Sequence, residues 1–488
     1  MTTRNAIILA LVVAASSCMH APPVRIAGEP AAPATRSQPW HAPRGVVPPE
    51  PAVSALPPTL PAELVARGAS LSLADAVDLA LRNNPQTQLS WAQARAAAAS
   101  YGAAASAWIP AVDASANAAL SSTTVGSSNG GAGRRETITP QLTLSYLLFD
   151  FGGRAGTAAA ARDAAIALDL THNSTLQNVA LQVETAWFNL QALRGLVDAS
   201  RQNLAEADTN LASARQRNIA GVATIADVLQ AETLQAQAQL DLETAEGNLE
   251  NGRGALAVAM GLPANTRYEI PLASDSLAVG MTALSVDTLV NRALELRPDL
   301  AAARTLILQS QAQARVARSA ELPSITLGSN TSRPVSNQSN FTGLNYGLTL
   351  GISIPLFNLA RPYNVQAAQA QVDASAARAA LLRTQVTQQV FTAYNSLQTA
   401  TQRAATTQVL IRSATASEAA ARARYRAGVG TILDLITAQN ALASARAQAA
   451  QARWTWATAL AQLSHDVGVL GPRGEMPVPL APPAPGRP

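Results

Sequence analysis

The 488-residue chain contains no lysine, so each of its 35 basic side chains is an arginine. Phosphate-binding loops and protein kinases contact phosphates through a lysine, so both classes are excluded. The triplet Asp150-Phe151-Gly152, which matches the metal-binding motif of kinases, is therefore a coincidence. The arginines are spread along the chain without interleaved aromatic residues, and the formal net charge is only +4, which argues against nucleic-acid binding.

Cysteine and histidine are almost as scarce. The one cysteine is Cys18, and the four histidines (His20, His41, His172 and His465) are isolated from one another. No Cys/His cluster has the spacing of metal ligands, and no serine lies in a Gly-x-Ser-x-Gly elbow. The sequence therefore predicts no catalytic residue, no metal site and no cofactor.

Bulky side chains are also rare, with 4% aromatic and 14% charged residues. Alanine fills much of the remainder and gives long stretches of high helix propensity that can pack closely but cannot build a thick core. Beyond the N-terminus no stretch reaches the ~18 to 20 apolar residues that a membrane-spanning helix needs. A chain of this kind that crosses a membrane must do so as strands.

The N-terminus resembles a bacterial secretion signal. Arg4 precedes an apolar run over 7–13, and Ala15-Ser16-Ser17-Cys18 resembles a lipobox, whose cysteine is acylated after cleavage. We therefore predict a signal peptide at 1–17 and lipidation of Cys18. The alternative is an ordinary signal with an incidental cysteine.

Two further segments, 18–70 and 471–488, are rich in proline and alanine. Such composition predicts an N-terminal tether and a disordered C-terminal tail.

Between these segments the chain is duplicated. Residues 72–110 match residues 285–323 at an offset of 213, and residues 215–229 match 422–436 at an offset of 207, with eight of fifteen positions identical. The match predicts two structural repeats of the same design, 71–270 and 271–470.

Each repeat contains a predicted strand pair, near 110–150 and 322–357. In the second repeat Leu344, Tyr346, Leu348, Leu350, Ile352, Ile354 and Leu356 alternate with glycine and polar residues, and the first repeat alternates in the same way. One apolar face and one small, polar face are typical of a barrel that faces lipid outside and water inside. Four strands cannot close a barrel, and open edges are not tolerated in lipid, so several copies of the chain must share one wall.

Long helices follow the strands, near 154–260 and 362–467. Apolar residues repeat at seven within them, which predicts antiparallel coiled-coil packing. The fold class is therefore a mixed α/β membrane protein, built from a duplicated unit of helix, β-hairpin and long helix pair. The turns between the long helices carry Gly221 and Gly428 as helix ends, Thr224 and Thr431 as N-caps, and Asp227 and Asp434 at the third helical position.

These parts resemble the TolC-like outer-membrane efflux and secretion channels over roughly residues 70–470. The markers are the duplicated turns and the strand–helix junctions at 148–154 and 355–358. The resemblance implies a homotrimer with a twelve-stranded outer-membrane barrel and a periplasmic α-helical barrel. It also implies a passive duct driven by an inner-membrane pump, of the resistance-nodulation (RND) or ABC type, through a periplasmic adaptor. Adaptor docking and gating then fall on Gly221, Thr224, Asp227, Gly428, Thr431 and Asp434, with Asp434 foremost.

Two other functions stay open. The chain could be the outer-membrane component of a type I protein secretion system, because a passive duct need not bind its cargo. It could also be a periplasmic coiled-coil scaffold lipoprotein, although such a scaffold leaves four amphipathic strands unexplained.

Overall fold

The computed structural model describes residues 25–26, 29–30, 60, 62, 70–123, 133–271, 279–282, 284–336, 343–470 and 480–481. The chain divides into two units, Met1–Thr59 and Leu60–Pro488. In the first, the strands Arg25–Ile26 and Glu29–Pro30 pair antiparallel. The predicted signal peptide, Cys18, and nearly all of the predicted tether and tail lie outside the described residues.

The second unit contains two successive sets of the same elements. The first set is α1 (Leu73–Asn83), α2 (Pro85–Ala105), a 3-10 turn (Ser106–Trp108), β1 (Ala111–Thr123), β2 (Gly133–Phe149), α3 (Gly153–Ile219) and α4 (Ile225–Ala259). The second set is α5 (Val286–Leu296), α6 (Pro298–Ser319), β3 (Ser324–Ser332), β4 (Asn345–Ser353), α7 (Ala360–Arg426) and α8 (Ile432–Asp466). Two-residue strands add to these: Val335–Ser336 pairs with β2, and Met281–Thr282 pairs with Leu480–Ala481.

Proline separates the first two helices of each set. Asn84 and Arg297 precede Pro85 and Pro298, and both adopt extended backbone angles near φ −66°. The residue before a proline is driven out of the helical region, so one helix ends there and the next begins at the proline.

The four long strands form one antiparallel sheet in the order β1-β2-β3-β4. Residues opposite each other in such a sheet share a face. Leu142 lies between Ala114 and Thr331, and Ile352 lies opposite Ile325. One face is therefore largely apolar, and its large side chains are exposed in the single protomer: Val112, Leu120, Ile138, Leu142, Tyr346, Leu348, Leu350 and Ile352.

The other face of the sheet is polar. One row across all four strands reads Asp113, Thr143, Asn330 and Gly347. The alternation predicted from the sequence is thus present in the register of the sheet.

The two longest helices, α3 and α7, have 67 residues each, which corresponds to about 100 Å. Both pack against α6 near the sheet and against α8 farther away, and α3 also packs against α2 and α4. No helix in the described part of the chain is both long and apolar enough to cross a membrane.

The main core lies midway along the long helices, where α1 and α5 pack against α3 and α7 and meet the ends of α4 and α8. Trp456 is fully buried there and its indole N–H donates to the Gly280 carbonyl at 3.1 Å.

The repeats have matching contacts as well as matching elements. Asn84 Nδ2 donates to the Ala259 carbonyl at 3.1 Å, and Arg297 Nη1 donates to the Asp466 carbonyl at 3.3 Å. In both cases the residue before the proline binds the end of the last helix of its own repeat. Gly261 follows that helix in the first repeat with φ +74°, and a Cβ there would lie 2.7 Å from the backbone of residue 83.

Candidate functional site

The two turns between long helices have nearly identical backbones. Gly221 and Gly428 both have φ +73°. The Val222 N–H donates to the Arg217 carbonyl at 2.9 Å, and the Val429 N–H donates to the Arg424 carbonyl at 3.1 Å. This bond pattern, together with a left-handed glycine, is a Schellman helix end, as the sequence predicted. We call residues 217–229 and 424–436 the first and second hairpin tips.

The returning helices α4 and α8 begin with capping boxes. The Thr224 N–H donates to Asp227 Oδ2 at 2.8 Å, while the Asp227 N–H donates to Thr224 Oγ1 at 3.3 Å. Thr431 and Asp434 make the same two bonds, both at 3.2 Å. The predicted N-caps are therefore confirmed, with aspartate in the place usually taken by glutamate or glutamine.

The hydrogen bonds of the capping box stabilise the negative charge of Asp434. The side chain is exposed, and the hydrogen bonds from the Thr431 backbone and hydroxyl hold the pKa of Asp434 below its ordinary value. A carboxylate whose pKa is lowered stays ionised to a more acidic pH than a free aspartate.

The two tips are joined by a cation–π contact that no local sequence pattern predicts. The Arg217 guanidinium lies 4.7 Å from the centre of the Tyr425 ring, and its Nη1 donates to the Tyr425 carbonyl at 2.9 Å. Tyr425 is buried with Leu211, Val228 and Leu435, and burial raises the pKa of its hydroxyl. Both Arg217 Nε and the Tyr425 hydroxyl are buried without a hydrogen-bond partner among the described residues.

Large apolar side chains are exposed around both tips. These residues are Ile219, Val222, Ile225, Leu229, Val429 and Leu433, each at least 56% exposed. Sequence reasoning singled out the glycines, threonines and aspartates of the tips and missed this apolar set, because a single chain does not reveal which apolar residues stay uncovered.

Farther along α3 and α8, charged residues tie the helices together. Arg446 donates to Glu206 Oε1 at 3.0 Å and to Asn203 Oδ1 at 3.2 Å. Arg422 pairs with Glu418 at 2.6 Å and approaches Glu206 at 3.9 Å. These pairs connect three long helices just above the tips.

At the opposite end of α3, the strand–helix junctions share an arginine that the sequence comparison overlooked. Arg154 Nη1 donates to the Ala107 carbonyl, and Arg361 Nη1 donates to the Ala320 carbonyl. The guanidinium of Arg154 also lies 3.8 Å from the centre of the Trp108 ring. Because 154 and 361 differ by the repeat offset of 207, alignment of the two junctions could have found the pair.

Between α3, α7 and α8 lies a recess of about 1250 Å³. Its lining combines apolar side chains, among them Trp454, Leu181, Leu193 and Leu196, with uncharged amides and hydroxyls: Gln182, Thr185, Asn189, Gln388, Thr392, Gln451, Thr455 and Thr458. The carboxylate of Asp466 at its margin is already bonded by Gln462 and His465. Apart from Asp466, this lining offers no charged group to a solute. In the described part of the chain no three metal-ligating side chains cluster.

The fold defines a class of protein, namely one with a duplicated unit of paired strands and a long helical hairpin. The outer membrane efflux protein family matches residues 76–262 and 289–469, and the chain belongs to that family. Members of this family are channel proteins rather than enzymes. The protein is thus an outer-membrane efflux channel with its helices in the periplasm.

Individual relatives agree with this assignment. Protein CyaE of Bordetella pertussis is 29% identical over 82% of this chain and 85% of its own length. The pyoverdine export outer membrane protein OpmQ of Pseudomonas aeruginosa is 26% identical over 67% of this chain and 68% of its own. The crystal structure of the outer membrane protein VceC of Vibrio cholerae superimposes with a TM-score of 0.72, covering 81% of this chain and 96% of that one, at 19% identity.

Proposed function

We propose that three copies of this chain form the exit duct of a tripartite pump, through which an inner-membrane transporter expels drugs or other small molecules. The observation that carries the proposal is the sheet. Its outer strands β1 and β4 have no partner on their outer edges among the described residues. An apolar face with open edges is unstable in lipid, whereas twelve strands from three copies leave no edge.

The recess between α3, α7 and α8 supports passive transport. Apart from Asp466, its polar groups are uncharged amides and hydroxyls, which would bind a passing solute weakly. The relative named for pyoverdine export fits a duct for small molecules.

The hairpin tips are the proposed gate. Three copies of Asp434, joined by Asp227, would place a ring of carboxylates at a narrow mouth and favour cations. The contact between Arg217 and Tyr425 would hold the two tips of one copy together. Opening would hydrate the two buried polar groups that lack a partner, so water would offset part of the lost contact.

The same tips are the proposed docking site for a periplasmic adaptor, which links the duct to a pump of the RND or ABC type. Exposed apolar side chains that surround a polar turn are typical of a protein-binding surface. Lipidation at Cys18 would add an anchor in the outer membrane.

The gate is tested by Asp434→Asn, which removes the charge but keeps an oxygen that can accept the Thr431 N–H. The matched control is Asp75→Asn, because Asp75 forms the same capping box with Ser72 in α1, far along the chain from the tips. We expect Asp434→Asn to reduce cation preference in planar bilayers and the control to leave it unchanged. Equal selectivity in both variants would remove Asp434 from the gate.

Transport is tested in a host that lacks its own outer-membrane channel. Expression of this chain with its pump and adaptor should restore resistance to small toxic compounds. Restored protein secretion without any change in resistance would favour the type I secretion system instead.

A further inference from the structure

The helices α4 and α7 carry opposite charges. Helix α7 has eight arginines against Asp373 and Glu418, a formal charge of +6. Helix α4 has six carboxylates against Arg253, a formal charge of −5. In contrast α3 has six groups of each sign and α8 has two of each, so both are neutral.

The two neutral helices also pack against each other within one copy. Several contacts define their register. The rings of Phe188 and Trp454 stack at 6.1 Å, and a Cβ on Gly195 would lie 3.3 Å from the Ala450 Cβ. His465 lies opposite Asn178, Arg446 opposite Asn203 and Glu206, and Gln439 opposite Asn210.

The repeat relation transfers this register to the charged helices. Adding 207 moves positions of α3 onto α7, and subtracting 207 moves positions of α8 onto α4. We call this contact between α3 and α8 the seam. Its α8 positions become Glu232, Gln239, Glu243, Gly247 and Val258 on α4, and all five are exposed. Their α8 counterparts Gln439, Arg446, Ala450, Trp454 and His465 are buried or half-buried.

The positions transferred from α3 to α7 are also largely exposed. The transferred positions Gln385, Gln402, Leu410, Ser413 and Ser417 are exposed, and only Asn395 is half-covered. Near Asn395 a groove of about 460 Å³ runs past Phe391, Thr399 and Arg403. It corresponds to the part of α3 on which Trp454 of α8 rests. Within one copy α4 and α7 form no packed interface with each other.

We propose that the acidic face of α4 packs on the basic face of α7 of a second copy, in the register in which α8 packs on α3 within one copy. The acidic face is Glu232, Glu243, Glu246 and Glu250, and the basic face is Arg378, Arg403 and Arg424. This inference rests on the proposed trimer and specifies how its copies recognise each other.

Some carboxylates on α4 already have partners. Glu246 pairs with Arg201 at 2.8 Å, and Glu232 lies 3.7 Å from Arg215. Glu243 accepts only the amide of Gln239 among the described residues. In the transferred register Glu243 lies opposite Gln402, next to Arg403, so it is the carboxylate best placed to meet an arginine of the neighbouring copy.

The opposite charges of α4 and α7 determine which face of one copy can pack on which face of the next. Two α4 faces repel each other, as do two α7 faces, so each acidic face accepts only the basic face of another copy. Such a head-to-tail contact closes into a ring, whereas a contact between like faces would stop at a dimer. The neutral seam between α3 and α8 needs no such selection because both helices belong to one chain.

The register predicts a disulfide between copies. Because Gly195 and Ala450 are close enough for Cβ contact, their counterparts Gln402 and Glu243 of a neighbouring copy should lie within the ~3.5 to 4.5 Å that a disulfide requires between Cβ atoms. The double variant Gln402→Cys/Glu243→Cys, purified in detergent and mildly oxidised, should give covalent dimers and trimers on a non-reducing gel. The single variants are the controls and should stay monomeric.

A second control is Gly195→Cys/Ala450→Cys, which should form a bond within one chain and migrate as a monomer. A three-subunit mass by light scattering without crosslinking of the Gln402/Glu243 variant would overturn this inference and leave the proposed channel standing. A monomeric mass without channel conductance would overturn both.

Discussion

The carboxyl group of Glu184 should make the stability of this protein depend on pH. Glu184 lies in the middle of α3 and is 1% exposed, and neither of its oxygens has a hydrogen-bond partner among the described residues. Burial raises the pKa of Glu184 from 4.5 to about 7. Below pH 4.5 the group is protonated in both the folded and the unfolded chain, so it does not affect the free energy of unfolding.

Above pH 4.5 the unfolded chain loses this proton first, so stability falls as the pH rises toward 7. A gap of 2.5 pKa units corresponds to about 3.4 kcal/mol in total, of which about 2.5 kcal/mol is lost between pH 5 and pH 8. Glu184→Gln has nearly the same shape and cannot ionise. We therefore expect its stability relative to the wild type to increase by about 2.5 kcal/mol over that interval.

The assay is unfolding of the helical circular dichroism signal in detergent from pH 5 to pH 8, at one protein concentration. Glu418→Gln is the matched control, because Glu418 is also buried but is paired with Arg422 at 2.6 Å. Removing a paired carboxylate should destabilise the protein and give no gain at high pH. Parallel pH profiles for Glu184→Gln and the wild type would refute the assignment of an isolated buried carboxyl group.

Three further predictions concern the helix ends and the contact between copies. Gly221→Ala should lower the free energy of unfolding by about 1–2 kcal/mol, because the backbone is left-handed there but the space around it is open. Gly261→Ala should lower it by several kcal/mol more, because the new Cβ would lie 2.7 Å from backbone atoms. Chemical unfolding measures both changes. Thr431→Ala should cost about 0.5–2 kcal/mol of stability at the second tip, measured by hydrogen exchange. Arg403→Glu and Glu243→Arg should each weaken trimer association two- to fivefold, measured by dilution in detergent, and the double variant should restore it. If the double variant shows the sum of the two single losses, the proposed contact between α4 and α7 is wrong.

Much of this fold follows from local patterns. Period-two alternation located the strands, seven-residue spacing located the long helices, and the capping boxes were readable because Thr431 and Asp434 are three residues apart. The short helices α1 and α5 were not assigned, because 11 residues show too few turns of periodicity to separate a helix from a loop. Their burial comes from packing on α3 and α7, which is a tertiary effect.

The site was less accessible for the same reason. The contact of Arg217 with Tyr425 joins residues 208 positions apart, and no spacing rule predicts it. The sequence also does not reveal that Glu184 is buried without a hydrogen-bond partner. Comparison of the repeats gives no help, because the counterpart 207 residues later, Phe391, is exposed. The charge contrast between α4 and α7 was present in the sequence, but its meaning needed the register of α3 on α8.

Channel formation by several copies is the central claim, and planar-bilayer recording on a preparation of measured mass tests it most directly. Purified protein in detergent should have the mass of three subunits and should insert as discrete, cation-preferring conductance steps. A single-subunit mass with silent bilayers would mean that the sheet of β1 to β4 never closes into a shared wall.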